Sequence, residues 1–180
     1  MATSSRPITI IESNFSNAMA IAPDSIRLFI AEFGAMQSSY VKSLVDATGQ
    51  VVSDERLGVL SRIFAFEILQ RHTMFMGLAM DKSDQAKETL QASEWFSKFA
   101  PESFRLMAKR IRLGAKESLE LHELMQQMEA LCNSAYPEAQ KRLLILLGLK
   151  GEDLDLMFQR FQAAEFVALG TILNARMQRR

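Results

Sequence analysis

Apolar side chains recur along most of this chain at intervals of three and four residues, which is the period of an amphipathic α-helix. The pattern predicts a first helix over about 24–45, where Ile26, Phe29, Ile30 and Phe33 share one face. Further helices are predicted at about 54–80, 84–99, 101–113, 116–133, 137–148 and 152–177. Glycines and prolines are few, and most fall where a helix is expected to begin or end. The sequence therefore predicts an all-α fold, a compact helical bundle of about six or seven helices.

The predicted helix at about 54–80 is apolar on more than one face. Leu57 and Phe64 lie on one stripe, and Ile63 and Phe66 widen it. A helix of this kind belongs at the centre of a bundle or in an interface between subunits. Methionines cluster at its end, and methionine side chains adapt to irregular partner or ligand surfaces. We therefore expect a partner or ligand surface formed by Ile63, Phe66, Met74, Met76 and Met80.

Residues 1–22 depart from the helical pattern. They contain the β-branched run Ile8-Thr9-Ile10-Ile11, followed by small polar residues, and β-branched side chains are enriched in strands. We expect an extended or flexible arm over 1–22, ahead of a single all-α domain over 23–180. Such an arm either pairs with a strand or groove of a partner or is a loosely docked terminus.

The charge balance and the cysteine content narrow the class of protein. Twenty-one basic and twenty-one acidic residues leave no net charge, so the chain lacks the positive field typical of nucleic-acid binders. The single cysteine, Cys132, excludes an internal disulfide and fits a reducing compartment. The first residues do not resemble a secretory signal, and no apolar run approaches the roughly 18 residues of a membrane-spanning helix. We therefore expect a cytoplasmic protein without a membrane span.

The sequence contains no recognisable catalytic or metal-binding motif. A di-iron bundle requires a glutamate three residues before a histidine, whereas leucines precede His72 and His122 at that spacing. The chain lacks a Gly-x-Ser-x-Gly elbow and a glycine-rich phosphate loop, and Cys132 falls within an apolar stripe. We expect no metal, no cofactor and no enzymatic activity.

Two carboxylates lie within apolar runs, that of Glu32 and that of Glu67. Glu32 is interpreted as a residue on the polar edge of its helix, whereas Glu67 has a candidate partner. Arg71 follows it by four residues, which is the spacing and order of a helical ion pair, and this is the interpretation that we favour. If the bundle instead encloses an apolar small molecule, Glu67 or His72 is expected to act as its polar handle.

Four basic residues form a candidate anion-binding face. Arg105, Lys109, Arg112 and Lys116 are spaced four, three and four residues apart, so they share one face if the helix continues past Gly114. Such a face could hold an anionic partner, a nucleic-acid backbone or a phosphate. The simpler interpretation is a solvated face opposite the apolar residues Phe104, Met107, Ala108 and Ile111.

These observations favour a non-enzymatic regulatory or adaptor protein that acts through protein–protein contacts, with self-association as a homodimer as the expected form. The first alternative is a bundle that binds an apolar small molecule. The second is a nucleic-acid-associated regulator that uses the basic helix face, which the balanced net charge makes the less favoured of the two.

Overall fold

The computed structural model describes residues 6–80 and 86–161 of the chain. Within them it contains eight α-helices and no strand, so the predicted all-α fold is confirmed. The helices are α1 (Arg6–Ile21), α2 (Asp24–Ala47), α3 (Asp54–Leu69), α4 (Thr73–Met80), α5 (Ala86–Phe99), α6 (Pro101–Leu113), α7 (Leu119–Leu146) and α8 (Gly151–Phe161). None of these described helices is long and apolar enough to cross a lipid bilayer. The predicted helix at 152–177 lies outside the described residues beyond residue 161.

Helix α3 lies at the centre of the packing. It contacts α2 most extensively and also packs against α1, α4 and α7. The Phe66 ring lies 5.6 Å from the Phe15 ring of α1 and 6.0 Å from the Trp95 ring of α5. On another side, the Phe64 ring lies 5.7 Å from the Tyr136 ring of α7. Because neighbours cover these different sides of α3, its wide apolar surface forms the core of the bundle.

Residues 6–21 form helix α1, so the prediction of an extended arm is wrong for this stretch. β-branched residues disfavour helix only weakly, and burial overrides this preference. Ile11 and Ala18 are buried in the core. The Ala18 carbonyl oxygen also accepts a hydrogen bond of 2.9 Å from the indole nitrogen of Trp95. Helix α1 therefore covers part of the apolar surface of α3.

The predicted helix at 54–80 is divided into α3 and α4. The backbone amides of Arg71 and His72 both donate to the Ile68 carbonyl oxygen, at 3.0 and 2.9 Å, and close a turn after α3. The turn contains no glycine or proline, which are the strongest sequence signals of a break. The hydrophobic period alone therefore could not locate it.

The predicted helices at 116–133 and 137–148 are instead one continuous helix, α7. Its start is set by Ser118, whose hydroxyl oxygen accepts a 3.1 Å hydrogen bond from the Leu121 amide. Pro137 lies inside the helix and lacks the amide that would bond to the Asn133 carbonyl. Asn133 is exposed, so water can satisfy the freed carbonyl and the helix continues.

Candidate partner-binding groove

Helix α6 begins and ends where the sequence predicted. Pro101 is its first residue, where a missing amide has no helical partner to lose. Gly114 follows its last turn with φ of +65°, a backbone conformation that residues with a Cβ rarely adopt. These two residues fix the length of the helix, and hence which basic side chains share its surface.

Three of the predicted basic residues line one groove along α6. The groove has a volume of about 510 Å³, and its described lining consists of Phe104, Arg105, Ala108, Lys109 and Arg112. We call it the α6 groove. The sequence interpretation placed the apolar residues opposite the basic ones, but Phe104 and Ala108 line the groove together with them.

The α6 groove therefore has an apolar row beside a basic row. Phe104, which forms the apolar row with Ala108, is partly buried against the core. Ile111 lies on the same side of the helix, seven residues after Phe104 and outside the described lining, and is 75% exposed. The side chains of Arg105 and Arg112 are 55% and 71% exposed, whereas that of Lys109 is 26% exposed. A partner at this surface meets aliphatic and aromatic carbon next to positive charge.

Carboxylates at the edge of the groove partly balance its charge. Arg105 donates to both carboxylate oxygens of Glu102, at 2.6 and 3.1 Å. This hydrogen bonding to Arg105 holds the pKa of the Glu102 carboxyl below its ordinary value. Lys109 and Arg112 both approach one oxygen of Glu120, at 3.7 and 3.8 Å. Those two distances exceed hydrogen-bond length, so both cations keep donors for an incoming anion.

Lys116 does not extend the basic row, and the prediction that it shares the face is wrong. Helix α6 ends at Leu113, so the helical spacing that would align Lys116 with Arg112 is interrupted. Lys116 is exposed in the connection between α6 and α7. It is not part of the described lining of the groove.

Glu67 lies in a buried cluster of ion pairs. Its side chain is 2% exposed, and its Oε2 lies 2.9 Å from the Arg71 guanidinium, which confirms the predicted pair. A second cation, Arg142 of α7, lies 3.0 Å from the same oxygen. Arg142 also contacts Glu138 at 2.6 Å. The sequence could not reveal Arg142 as a partner, because only the packing of α7 on α3 brings it there.

His72 lies in the turn between α3 and α4, 4% exposed, with its ring 4.7 Å from that of Phe75. Among the described residues its Nδ1 has no hydrogen-bond partner. Burial lowers the pKa of the imidazole from 6.5 to about 4. The neutral ring therefore packs as a core aromatic at physiological pH.

The surface predicted from the wide stripe of α3 and the methionine cluster does not form as expected. Ile63, Phe66 and Met76 are 2%, 0% and 1% exposed, so the prediction that they form a partner surface is wrong. Helices α1, α2 and α5 cover the apolar sides of α3 and α4 where a partner was expected. The side chains of Met74 and Met80 lie outside the described residues.

A second groove, of about 590 Å³, lies at the start of α7. Its described lining is Glu117, Ser118, Leu121, His122 and Met125. This lining combines a carboxylate with a hydroxyl, an imidazole and two apolar side chains. It lacks the guanidinium and ammonium groups that give the α6 groove a clear charge preference.

Comparison of the chain with protein-family models, with curated proteins and with solved structures found no match.

Proposed function

We propose that the protein is a non-enzymatic cytoplasmic adaptor or regulator that binds an acidic segment of a protein partner in the α6 groove. The observation that carries this proposal is the pairing of an apolar row with a basic row in one groove of about 510 Å³. The five side chains of the described lining supply positive charge and apolar contact. They include no carboxyl, thiol, hydroxyl or imidazole group for acid–base or nucleophilic chemistry.

The chemistry of the groove defines the partner segment. Its cations require carboxylates about one helical turn apart, because Arg105, Lys109 and Arg112 follow one another at four and three residues. Its apolar row requires a leucine or a similar side chain beside those carboxylates. An amphipathic acidic helix presents both groups on one face, which is the helix-in-groove mode of recognition.

A protein partner fits the charges better than a nucleic acid does. Glu102 and Glu120 stand among the cations of the groove, and Glu117 follows in the connection to α7. Duplex DNA carries one negative charge per roughly 1.7 Å along its axis, so its backbone would meet these carboxylates as well as the cations. A segment with two or three carboxylates can be placed to contact the cations alone.

An apolar small molecule remains the second function that the sequence raised, with Glu67 or His72 as its polar handle. The Oε2 of Glu67 is already shared by two guanidinium groups. A ligand that recruited this carboxylate would have to break at least one of those ion pairs, which is costly for a buried charge. A partner in the α6 groove competes instead with the ion pairs to Glu102 and Glu120, two carboxylates that are more than half exposed.

A peptide selection tests the proposed function. A library of displayed helical peptides is selected on the wild-type protein and, in parallel, on the double variant Arg105→Glu/Arg112→Glu. Both substituted side chains are more than half exposed, so we expect the variant to fold. We expect wild-type binders to be enriched in paired Asp or Glu next to Leu or Phe, and the double variant to lose them.

The matched control is Lys141→Glu, which reverses one exposed charge on α7 at a residue outside the described lining of the groove. It should retain the peptides that bind to the wild type. Peptides bound equally by the wild type and the double variant would overturn the proposal, as would a preference for an RNA oligonucleotide with a steep salt dependence.

A further inference from the structure

The outer side of α8 has a pattern of charge complementary to that of the α6 groove. Glu152, Asp153 and Asp155 are exposed in the first turns of this helix. Leu156 follows them and is 51% exposed. We call these four residues the α8 ridge.

The packing of α8 leaves the ridge free. The helix packs on α7, and Leu154, Met157 and Phe158 are its half-buried residues. Leu156 lies about 200° around the helix from Leu154, on the outer side with Glu152. An exposed leucine surrounded by carboxylates contributes little to the packing of its own helix, but it is the feature that the groove requires of a partner.

We propose that the α8 ridge of one copy of the chain docks in the α6 groove of a second copy. This inference rests on the proposed function, because it names the occupant of the same groove. The carboxylates of Glu152 and Asp155 meet the basic row, while Leu156 packs on the apolar row of Phe104 and Ala108.

The spacing of the two surfaces agrees with this docking. Glu152 and Asp155 are separated by three residues, a rise of about 4.5 Å along a helix. Lys109 and Arg112 are also three residues apart on α6. Two antiparallel or crossed helices can therefore bring each carboxylate to one cation, in the way that residues one turn apart pair on a single helix.

The contact joins two different surfaces of the same chain. Two copies that exchange it reciprocally form a closed two-fold dimer, whereas copies that use it once each add head to tail in a longer series. The surfaces involved are small, and interfaces below about 1,200 Å² are characteristic of weak, transient association. We therefore expect association in the micromolar range that weakens as salt screens the charges.

A complementation experiment tests the docking. The groove variant is Arg105→Glu/Arg112→Glu, and the ridge variant is Glu152→Lys/Asp155→Lys. Sedimentation velocity of the full chain at low salt should show association of the wild type and at least about tenfold weaker association of each variant alone. An equimolar mixture of the two variants should associate again, because the intact ridge of one meets the intact groove of the other.

Controls and contradicting outcomes separate this inference from the proposed function. Lys141→Glu and Glu129→Lys reverse exposed charges on α7 and should associate as the wild type does, and circular dichroism checks that every variant is helical. A wild type that stays monomeric, or a mixture no more associated than either variant, overturns self-docking. If acidic peptides still bind to the groove in that case, the proposed function stands; if they do not, both fail.

Discussion

The Glu67 carboxylate is buried between two guanidinium groups, and its charge offsets theirs in the folded state. The substitution Glu67→Gln keeps the shape of the side chain and removes the charge. We expect it to lower the free energy of unfolding by about 2–3 kcal/mol. This loss is at or just below the usual destabilisation on removing one partner of a buried ion pair, because Arg71 and Arg142 are still partly hydrated.

Chemical denaturation at neutral pH measures this effect. The control is Asp46→Asn, which removes a carboxylate that pairs with Lys42 on the surface, where the two side chains are 60% and 61% exposed. That change should alter the free energy of unfolding by no more than about 0.5 kcal/mol. Equal effects of the two substitutions would show that the Glu67 cluster does not stabilise the fold.

The buried His72 imidazole makes stability depend on pH. Its pKa is about 4 in the folded protein and 6.5 without burial, so between these values the unfolded chain binds a proton that the folded chain does not. The free energy of unfolding should therefore fall as the pH drops from about 6.5 to about 4, by up to about 3 kcal/mol. Above pH 6.5 the imidazole is neutral in both the folded and the unfolded chain, so its burial does not lower the free energy of unfolding there.

The variant His72→Gln separates the pH dependence of stability that is caused by His72 from that caused by the carboxylates. Urea denaturation at several pH values should show a smaller loss of stability between pH 6.5 and pH 4 for His72→Gln than for the wild type. The substitution His122→Gln, at an exposed position on α7, should leave the wild-type slope unchanged. A slope unaltered in His72→Gln would contradict the role assigned to burial.

At the residue scale, spacing along one helix predicts ion pairs within that helix and misses ion pairs between helices. The four-residue separation of Glu67 and Arg71 was enough to predict their ion pair. Arg142 was not predictable, because it reaches Glu67 only through the packing of α7 on α3. The same limit applies to Glu120, whose approach to Lys109 and Arg112 depends on the turn between α6 and α7.

At the scale of elements, α2 and α3 approach each other closely at Gly34. A Cβ at this position would lie 3.2 Å from both the Cα of Arg62 and the carbonyl oxygen of Ser61. Both are backbone atoms of α3, so they can move away only if the whole helix moves. We expect Gly34→Ala to lower the free energy of unfolding by about 1–2 kcal/mol, despite the better helix propensity of alanine.

Gly58→Ala is the matched control for that prediction, because a Cβ at Gly58 meets nothing within 4 Å. Here only helix propensity acts, and we expect stabilisation by about 0.5–1 kcal/mol. Thermal denaturation of the two variants should therefore move the midpoint in opposite directions. A stabilised Gly34→Ala would mean that the helices have room to separate.

The boundaries of elements were predictable where local chemistry fixes them. Pro101 and Gly114 bound α6 as the sequence indicated, because one lacks an amide and the other adopts a positive φ. Helix α1 and the break between α3 and α4 were not predictable. The first depends on burial of Ile11 and Ala18 against other helices, and the second occurs without a residue that breaks helices.

At the scale of the whole molecule, the apolar residues of some amphipathic helices are buried in the core, whereas those of others remain partly exposed. The apolar sides of α3 are enclosed by its neighbours, so Ile63 and Phe66 pack in the core and are not accessible at the surface. Helices α6 and α8 instead keep exposed apolar side chains, Ile111 and Leu156, near concentrated charge. Periodicity identified amphipathic helices, but only their packing shows which apolar residues remain accessible.

An affinity measurement most directly tests the proposed recognition of acidic helical segments by the α6 groove. The probe is a labelled helical peptide that carries two glutamates one turn apart beside a leucine. Fluorescence anisotropy at low and moderate salt measures its affinity for the wild type, for Arg105→Glu/Arg112→Glu and for Lys141→Glu. We expect at least about tenfold weaker binding for the double variant, wild-type affinity for Lys141→Glu, and weaker binding as salt increases. Equal affinity of all three proteins for the peptide would contradict recognition by the α6 groove.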